Sequence, residues 1–242
     1  MLIDYTAVMY VDMDTYAIFT CLYWNINGLR NKLPHLRHNF QAYDVIALCE
    51  TKLNDSVTDS TLMKDALGES HALFRRDRTS HGGGVACFVR SGLQPERIHP
   101  DPNGSEILVI YLRKISVLIA VVYRPPNTED NERTFNSMLK AMSAIAGYNC
   151  PCIITGDFNF TQFPITKLST SRLGRFMNHC ANLGLKQCVS SPTRGKRMLD
   201  LVFTKNLSSD VTVHDAASWS SSESDHKAIE AVVTVARDLA NN

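Results

Sequence analysis

Amide, carboxylate and imidazole side chains recur where apolar segments of this sequence end, begin or are interrupted. The seven residues concerned are Asn25, Glu50, Asp157, Asn159, Asp200, Asp225 and His226. Carboxylate and amide oxygens suit a hard cation such as Mg²⁺, which takes one or two carboxylates and keeps several waters. A histidine beside an acid suits proton transfer or polarisation of a phosphoryl oxygen. Together these residue types favour metal-assisted hydrolysis of a phosphate ester.

Each of these residues has an ordinary structural explanation when it is taken alone. Asn25 and Asp225 could each cap a turn, and an isolated histidine is most often structural. The chemistry is therefore indicated by the whole set and not by any one member. The HGGG run at 81–84 imitates the oxyanion loop of esterases, but the sequence lacks their GxSxG nucleophile motif, so these glycines favour a tight turn.

Short apolar runs rich in valine and isoleucine predict eight strands that position these residues. The predicted strands cover 17–24, 44–50, 84–90, 106–112, 116–123, 152–157, 198–204 and 228–235. Apolar residues at helical spacing predict four helices, which cover 131–147, 171–183, about 32–42 and about 57–67. Strands that are both paired and separated by helices favour an α/β fold in which two β-sheets pack together with helices outside, a four-layer α/β/β/α sandwich.

Length and composition limit the class of protein. The chain has 242 residues, of which 44% are hydrophobic, so it can bury a sizeable core. The 25 basic and 24 acidic residues nearly balance, so local patches and not net charge would have to attract a polyanion. The seven cysteines are odd in number and lie mostly in apolar runs. This favours buried free thiols in a reducing, intracellular compartment over a disulfide framework or a zinc site.

The chain is interpreted as one domain with short extensions. No repeat, linker or change of composition divides it, so residues 17–236 are predicted to form the domain and 237–242 a C-terminal tail. Residues 1–16 are predicted to be an N-terminal extension or an extra strand. This segment is apolar, but acidic residues interrupt it and no basic region precedes it, so neither a signal peptide nor a membrane span is expected.

Six motifs follow one another along the chain, namely WNINGLR (24–30), ALCETKL (47–53), VVYRPPN (121–127), IITGDFN (153–159), MLDLVF (198–203) and SDHKAI (224–229). In this order they resemble the endonuclease/exonuclease/phosphatase superfamily, whose fold is DNase I-like. The resemblance covers about residues 17–235, nearly the whole chain. VVYRPPN, GGGVACFV and SPTRGKRMLDLVFT are further similar to the endonuclease domain of LINE-type (non-LTR) retrotransposons, especially Jockey-like and chicken-repeat-like elements.

The resemblance implies a metal site. Glu50 matches the principal metal ligand of the superfamily, Asn25 matches an amide that helps to hold the metal and the phosphate, and Asp225 matches an acid near the metal. Asn27 stands where some relatives carry an acid, so it is given no more than a supporting role. Mg²⁺ is the implied cofactor, with Mn²⁺ as an alternative.

The resemblance also implies groups that act on the phosphate. Asp157 and Asn159 match the pair that orients the attacking water and steadies the phosphoryl oxygens. His226 matches the histidine that faces the scissile phosphate, and Asp200 matches the acid that fixes its tautomer and favours imidazolium. Asp200 and His226 are therefore predicted to lie within about 3.5 Å of each other. Tyr123 matches a tyrosine that contacts the phosphate.

Basic residues near this set predict contacts with DNA. Proline and glycine accompany Arg194, Lys196 and Arg197, which predicts a short hairpin or tight loop before the next strand. In the resembled nucleases a loop at this place reaches toward the DNA groove beside the cut. Arg124 and Asn127, both within VVYRPPN, are also predicted to bind DNA.

The combined interpretation is a Mg²⁺-dependent endonuclease that hydrolyses one phosphodiester of duplex DNA and leaves 3′-hydroxyl and 5′-phosphate ends. In LINE-type elements the 3′-hydroxyl primes reverse transcription at the target. The implied partners are therefore double-stranded DNA and a reverse transcriptase domain of the intact element, in the nucleus, and no membrane partner is expected. The alternatives are an abasic-site repair nuclease, a phosphoesterase of the same fold, or a catalytically decayed relic that only binds nucleic acid.

Overall fold

The computed structural model describes residues 15–65, 67–78, 81–98, 106–126, 132–161, 171–214 and 224–236. The expected N-terminal extension and C-terminal tail lie outside these ranges, apart from residues 15 and 16. Among the helices of the described ranges, none is long and apolar enough to cross a membrane. All seven cysteines are described and are free thiols, five of them buried and two half-buried. The interpretation of the cysteines as free thiols is therefore confirmed.

Within the described residues the chain forms twelve strands and four α-helices. The strands are β1 (Tyr16–Asn25), β2 (Val45–Cys49), β3 (His71–Arg76), β4 (Val85–Arg90), β5 (Pro95–Ile98), β6 (Glu106–Leu112), β7 (Val117–Tyr123), β8 (Cys152–Asp157), β9 (Lys186–Gln187), β10 (Asp200–Lys205), β11 (Ser208–His214) and β12 (Ala228–Ala236). The helices are α1 (Leu33–Phe40), α2 (Asp59–Asp65), α3 (Glu132–Ala146) and α4 (Arg172–Asn182). All eight predicted strands and all four predicted helices are present, and their ends differ from the prediction by at most two residues.

The strands form two six-stranded sheets, in the orders β11-β12-β1-β2-β4-β3 and β5-β6-β7-β8-β10-β9. Most neighbouring strands are antiparallel, but β1 runs parallel to β2 and β7 runs parallel to β8. Side chains alternate between the two faces of a strand. In β1, Phe19, Cys21 and Tyr23 therefore join the core between the sheets, whereas Leu22 and Trp24 join a second core on the outer face.

The helices cover the outer faces of the two sheets. Helices α1 and α2 contribute Leu33, Phe40 and Leu62 to the core on the first sheet. On the second sheet, the ring of Phe176 in α4 lies 5.7 Å from the ring of Phe203 in β10, between centroids. The order of layers is helices, sheet, sheet, helices. The predicted α/β/β/α sandwich is thus confirmed.

Four strands were not predicted from the sequence, namely β3, β5, β9 and β11, and each lies at an edge of a sheet. An edge strand has one neighbour and is partly exposed, so it lacks the continuous apolar run that indicates an inner strand. Strand β3 ends in two arginines and is mostly half-buried, and β11 begins Ser-Ser-Asp. The strands that were not predicted are therefore edge strands, whose partly exposed positions carry polar residues.

Strand register brings the ends of five strands together at one end of the sandwich. In the first sheet, Asn25 ends β1 beside the end of β2, where Glu50 follows. In the second sheet, Asp157 at the end of β8 pairs with Tyr123 at the end of β7 and with Asp200 at the start of β10. Because parallel strands end on the same side of a sheet and the antiparallel β10 begins there, these side chains converge.

Candidate active site

Glu50 receives hydrogen bonds from both sheets. Asn25 Nδ2 donates to Glu50 Oε1 at 3.3 Å, and the Tyr123 hydroxyl donates to the same oxygen at 3.2 Å. Glu50 has a φ of +52°, which is uncommon for a residue other than glycine and turns the chain sharply at the end of β2. Asn25 and Tyr123 are buried, whereas Glu50 is half-buried. The Glu50 carboxylate is therefore held in place and remains accessible from solvent.

Asp157 accepts a hydrogen bond on each of its oxygens. Asn25 Nδ2 donates to Asp157 Oδ2 at 2.9 Å, and the backbone N–H of Asn159 donates to Oδ1 at 2.9 Å. Asn159 has a φ of +49°, and its own side-chain Nδ2 donates to the carbonyl of Arg124 at 2.7 Å. The amide of Asn25 thus links the carboxylates of Glu50 and Asp157 across the two sheets.

The predicted pairing of Asp200 with His226 is confirmed. His226 Nδ1 lies 2.8 Å from Asp200 Oδ2, and both side chains are buried. The opposite ring nitrogen, Nε2, lies 4.0 Å from Asp157 Oδ2. The second oxygen of Asp200, Oδ1, accepts a hydrogen bond from the Tyr23 hydroxyl at 2.7 Å. Asp200 therefore holds one side of the imidazole while the other side faces Asp157.

Burial and mutual charge determine the protonation of this group. Burial, followed by the nearby Asp200 carboxylate, raises the pKa of Asp157 to about 8. Burial alone would lower the pKa of His226, but the hydrogen bond with Asp200 and the negative charges of Asp200 and Asp157 outweigh it, so the pKa of His226 is raised. The site therefore favours an imidazolium, and a cation bound nearby would favour the ionised form of Asp157.

The carboxylate of Glu50 fits a hard divalent cation. It is an oxygen donor, and its partial exposure leaves space for the waters that such a cation keeps. Asn25 directs its Nδ2 toward Glu50 and Asp157, and the backbone N–H of Asn27 donates to its Oδ1 at 3.3 Å. The geometry therefore offers Glu50 as the ligand and places Asn25 as the group that orients it, which differs from the prediction of Asn25 as a ligand.

A second group could also approach a cation. Ligand atoms of Asp157, Asp200 and His226 all lie within 4.8 Å of one another, and all three residues are buried. However, the Asp200 oxygens are engaged by Tyr23 and His226, and His226 Nδ1 is engaged by Asp200. These contacts are better explained by an acid–imidazole pair than by a metal centre.

Asp225 was predicted to be an acid near the metal, and its carboxylate is paired with an arginine. Its side chain is 57% exposed, and its Oδ2 accepts a hydrogen bond from Arg194 Nε at 2.6 Å. The guanidinium of Arg194 thus occupies the place that a cation would take beside this carboxylate. The contacts of Asp225 therefore do not support a role as a metal ligand.

Arg124 also differs from its predicted role, and Asn127 lies outside the described residues. Arg124 is 3% exposed, and its guanidinium donates to the carbonyls of Phe158 at 2.6 Å and Asn159 at 2.9 Å. It also stacks over the ring of Phe160 at 4.4 Å from the centroid. Arg124 holds the loop that carries Asn159, and because it is buried it does not fit the predicted contact with DNA.

The predicted basic hairpin is present. The backbone N–H of Arg194 donates to the carbonyl of Arg197 at 2.9 Å, and the N–H of Arg197 donates back at 2.8 Å. Arg194, Lys196 and Arg197 are exposed, whereas Thr193 beneath them is buried. Thr193 Oγ1 accepts a hydrogen bond from the backbone N–H of Asp200 at 3.1 Å. The hairpin is therefore fixed directly to the strand that carries Asp200.

Three residues of the site were missed by sequence reasoning. The first is Thr193, which anchors the hairpin. The second is Ser224, whose hydroxyl donates to the Asn25 carbonyl at 2.6 Å and accepts from the His226 N–H at 3.2 Å. Both lie within sequence motifs noted above, where only the charged residues received attention. The third is Tyr23, which stands two positions before Asn25. Strand alternation places these two side chains on one face, so this signal was present in the sequence.

The fold and the site define a DNase I-like protein of the phosphoesterase class. The model of the Endonuclease/Exonuclease/phosphatase family matches residues 22–226, which is most of the chain. The chain belongs to this family. Its members are hydrolases of phosphate esters that generally depend on a divalent metal, which agrees with the cation-compatible carboxylate of Glu50.

Several solved structures share this fold. The 3′ phosphatase NExo from Neisseria, bound to a product DNA hairpin, has a TM-score of 0.69 and 16% identity, and covers 88% of this chain and 98% of its own. An AP endonuclease from Archaeoglobus fulgidus has a TM-score of 0.64, 15% identity and coverage of 91% and 100%. The endonuclease domain of TRAS1, a telomere-specific non-LTR retrotransposon, has a TM-score of 0.63, 15% identity and coverage of 89% and 98%. A search of curated proteins found no match.

Proposed function

We propose that the protein is a Mg²⁺-dependent endonuclease that hydrolyses one phosphodiester of duplex DNA and leaves 3′-hydroxyl and 5′-phosphate ends. One observation carries the proposal. A buried imidazole held by Asp200 at 2.8 Å faces the carboxylate of Asp157 at 4.0 Å, beside the accessible carboxylate of Glu50. A proton acceptor, an imidazolium and a cation ligand are thus grouped at one end of the two sheets.

The chain's own residues divide the work of hydrolysis. Glu50, oriented by Asn25, would hold the divalent cation, which when bound polarises the phosphoryl oxygens. Asp157 accepts a proton from the attacking water, and a pKa raised to about 8 suits a general base near neutral pH. His226, kept protonated by Asp200, donates a hydrogen bond from Nε2 to a phosphoryl oxygen and stabilises the charge that develops there. The bond from the water oxygen to phosphorus forms as the bond from phosphorus to the 3′ oxygen breaks, and the departing 3′ oxygen takes a proton from solvent water to become the 3′-hydroxyl.

The exposed hairpin supports a nucleic-acid substrate. Arg194, Lys196 and Arg197 place positive charge beside the site in a chain whose basic and acidic residues nearly balance. Local positive charge of this kind binds backbone phosphates and gives salt-dependent affinity. Thr193 anchors the hairpin to Asp200, so a strand gripped by the hairpin lies next to the acid–imidazole pair.

A retrotransposon origin is part of the proposal. The motifs VVYRPPN, GGGVACFV and SPTRGKRMLDLVFT support it, as does the shared fold of the TRAS1 endonuclease domain. In this setting the nick's 3′-hydroxyl primes reverse transcription at the target. The partners are then target duplex DNA and a reverse transcriptase domain, and the site of action is the nucleus.

A panel of substrates tests this function. The purified protein is incubated with supercoiled plasmid, with duplex carrying one abasic site, with duplex carrying a 3′-phosphate, and with inositol phosphates, each in Mg²⁺ or EDTA. The expected result is plasmid nicking that EDTA stops and that Glu50→Gln loses, whereas the exposed control Glu96→Gln retains it. A preference above about tenfold for the abasic duplex, release of phosphate alone, or binding without cutting would each overturn the proposal.

A further inference from the structure

The Tyr23 hydroxyl makes a hydrogen bond that crosses the interior between the two sheets. Tyr23 is 1% exposed, and its hydroxyl donates to Asp200 Oδ1 at 2.7 Å. Tyr23 lies on β1 of the first sheet, whereas Asp200 begins β10 of the second. The bond therefore ties the sheet that carries Asn25 to the sheet that carries Asp200.

The carboxylate of Asp200 depends on this bond for its orientation. Asp200 is 0% exposed, so it has no access to bulk water. One oxygen receives the Tyr23 hydroxyl and the other faces His226 Nδ1 at 2.8 Å. A buried carboxylate with an unpaired oxygen is costly, so loss of either donor favours rotation or protonation of the group. The direction in which Oδ2 points is thus set by the donor on Oδ1.

We propose that Tyr23 is a positioning residue of the active site, whose hydroxyl holds Asp200 so that this carboxylate fixes the orientation and tautomer of His226. The catalytic part of this inference rests on the proposed function, but the coupling of Tyr23 to His226 does not. Burial, followed by the charge of Asp200, raises the pKa of Tyr23 well above its ordinary value. The hydroxyl therefore remains a donor over the whole working pH range.

A matched control exists in the same protein. Tyr43 is also buried, and its hydroxyl also donates to a carboxylate, Glu230 Oε2, at the same distance of 2.7 Å. Glu230 lies on β12 and alternates with side chains of the inner core, so this second bond is on the outer side of the first sheet. Tyr43→Phe removes a tyrosine–carboxylate bond of the same length, to a half-buried carboxylate, without touching Asp200. This variant therefore measures the effect of losing a tyrosine–carboxylate hydrogen bond that does not belong to the active site.

Kinetics on plasmid DNA test the catalytic part. Tyr23→Phe is expected to lower kcat by about ten- to a hundredfold, the effect of losing a hydrogen bond to a charged group, with KM within about twofold of the wild type. Tyr43→Phe is expected to keep the wild-type kcat. In the Asp200→Asn background, Tyr23→Phe should change kcat by less than about threefold, because the carboxylate that it orients is gone. An unchanged kcat for Tyr23→Phe, or equal losses in both backgrounds, overturns the proposal.

Magnetic resonance of the His226 ring tests the coupling without any activity. Tyr23→Phe should move the Nδ1 proton and nitrogen signals of His226, and Tyr43→Phe should leave them in place. Should Tyr23→Phe fail to fold, 3-fluorotyrosine at position 23 keeps the ring and makes the hydroxyl more acidic, and it should move the same signals. Unmoved signals in the folded variant refute the coupling. A wild-type protein that does not nick DNA refutes the proposed function instead, while the ring signals still decide the coupling.

Discussion

Replacing Asp200 by asparagine removes a charge from the acid–imidazole pair while it preserves the shape of the side chain. In the Asp200→Asn variant an amide oxygen can still accept the Tyr23 hydroxyl, but an uncharged group faces His226 Nδ1. Burial lowers the pKa of His226, and the Asp200 contact is the main influence that opposes it. We therefore expect the variant to lose the imidazolium near neutral pH.

The size of the effect follows from the burial of the pair. A hydrogen bond to a charged group contributes about 1.5–3 kcal/mol, and loss of one group that stabilises developing charge costs about 2.7–4 kcal/mol in the barrier. Both figures describe the same contact and are not added. Since about 1.4 kcal/mol is a factor of ten, nicking should fall roughly 10²- to 10³-fold.

The pH profile provides a second readout with a defined sign. The wild-type pKa of His226 is raised above 6.5, so the imidazolium persists as pH rises and the alkaline limb of the activity profile lies above that raised pKa. Protonation of Asp157, whose pKa is about 8, gives the acid limb. In Asp200→Asn, burial dominates and the pKa falls, so the alkaline limb moves to lower pH. Initial nicking rates are measured between about pH 5 and pH 9, where histidine titrates.

The control for this experiment is Asp210→Asn, which removes an exposed carboxylate from the edge strand β11. It should keep both the wild-type rate and the wild-type profile. The reasoning is refuted if Asp200→Asn nicks within about threefold of the wild type and keeps its alkaline limb.

Three further predictions follow from the site, the core and the hairpin. Glu50→Gln should reduce nicking by about 10²-fold or more and raise the Mg²⁺ concentration needed for half-maximal rate. Its melting temperature should stay within a few degrees of the wild type, because the side chain is half-buried. Metal titrations and thermal melts check these two expectations. Gly156→Ala should lower the free energy of unfolding, measured in urea, by about 3 kcal/mol, because an added Cβ would lie 1.9 Å from the Val122 carbonyl oxygen. An unchanged urea midpoint would contradict the register of β7 and β8. Arg194→Ala with Lys196→Ala should reduce the slope of log DNA affinity against log salt concentration by about one unit per lost phosphate contact. The double variant should also shift the nick sites and keep the Mg²⁺ requirement. A wild-type salt slope and a wild-type nick map would exclude the hairpin from the DNA interface.

The inner strands were predictable because burial on both faces demands apolar residues. Strand β8 is buried at every position, and the helices beside it show regular apolar spacing. The edge strands were not predictable in this way, since β3 is mostly half-buried, β11 is exposed at alternate positions, and polar residues are tolerated in both. The local sequence pattern therefore predicts the inner strands of each sheet but not its edge strands.

The site was predictable where its residues lie at the ends of apolar strands, as Glu50 and Asp157 do. Contacts that cross the two sheets were not, because no local pattern records them. Tyr23 and Asp200 are 177 positions apart in the chain, yet their side chains share a hydrogen bond. Charge was also misleading for Arg124, whose guanidinium binds backbone carbonyls inside the protein and not a partner outside it.

The most direct test of the proposed activity is the chemistry of the cut ends. Supercoiled plasmid is incubated with wild-type protein, with His226→Ala and with Glu50→Gln, in Mg²⁺ and in EDTA. The nicked product is then offered to a DNA polymerase and to a ligase without prior treatment. We predict nicks made only by the wild type in Mg²⁺, with 3′-hydroxyls that the polymerase extends and 5′-phosphates that the ligase seals. Nicking that persists in His226→Ala or in EDTA, or wild-type ends that neither enzyme accepts, would contradict it.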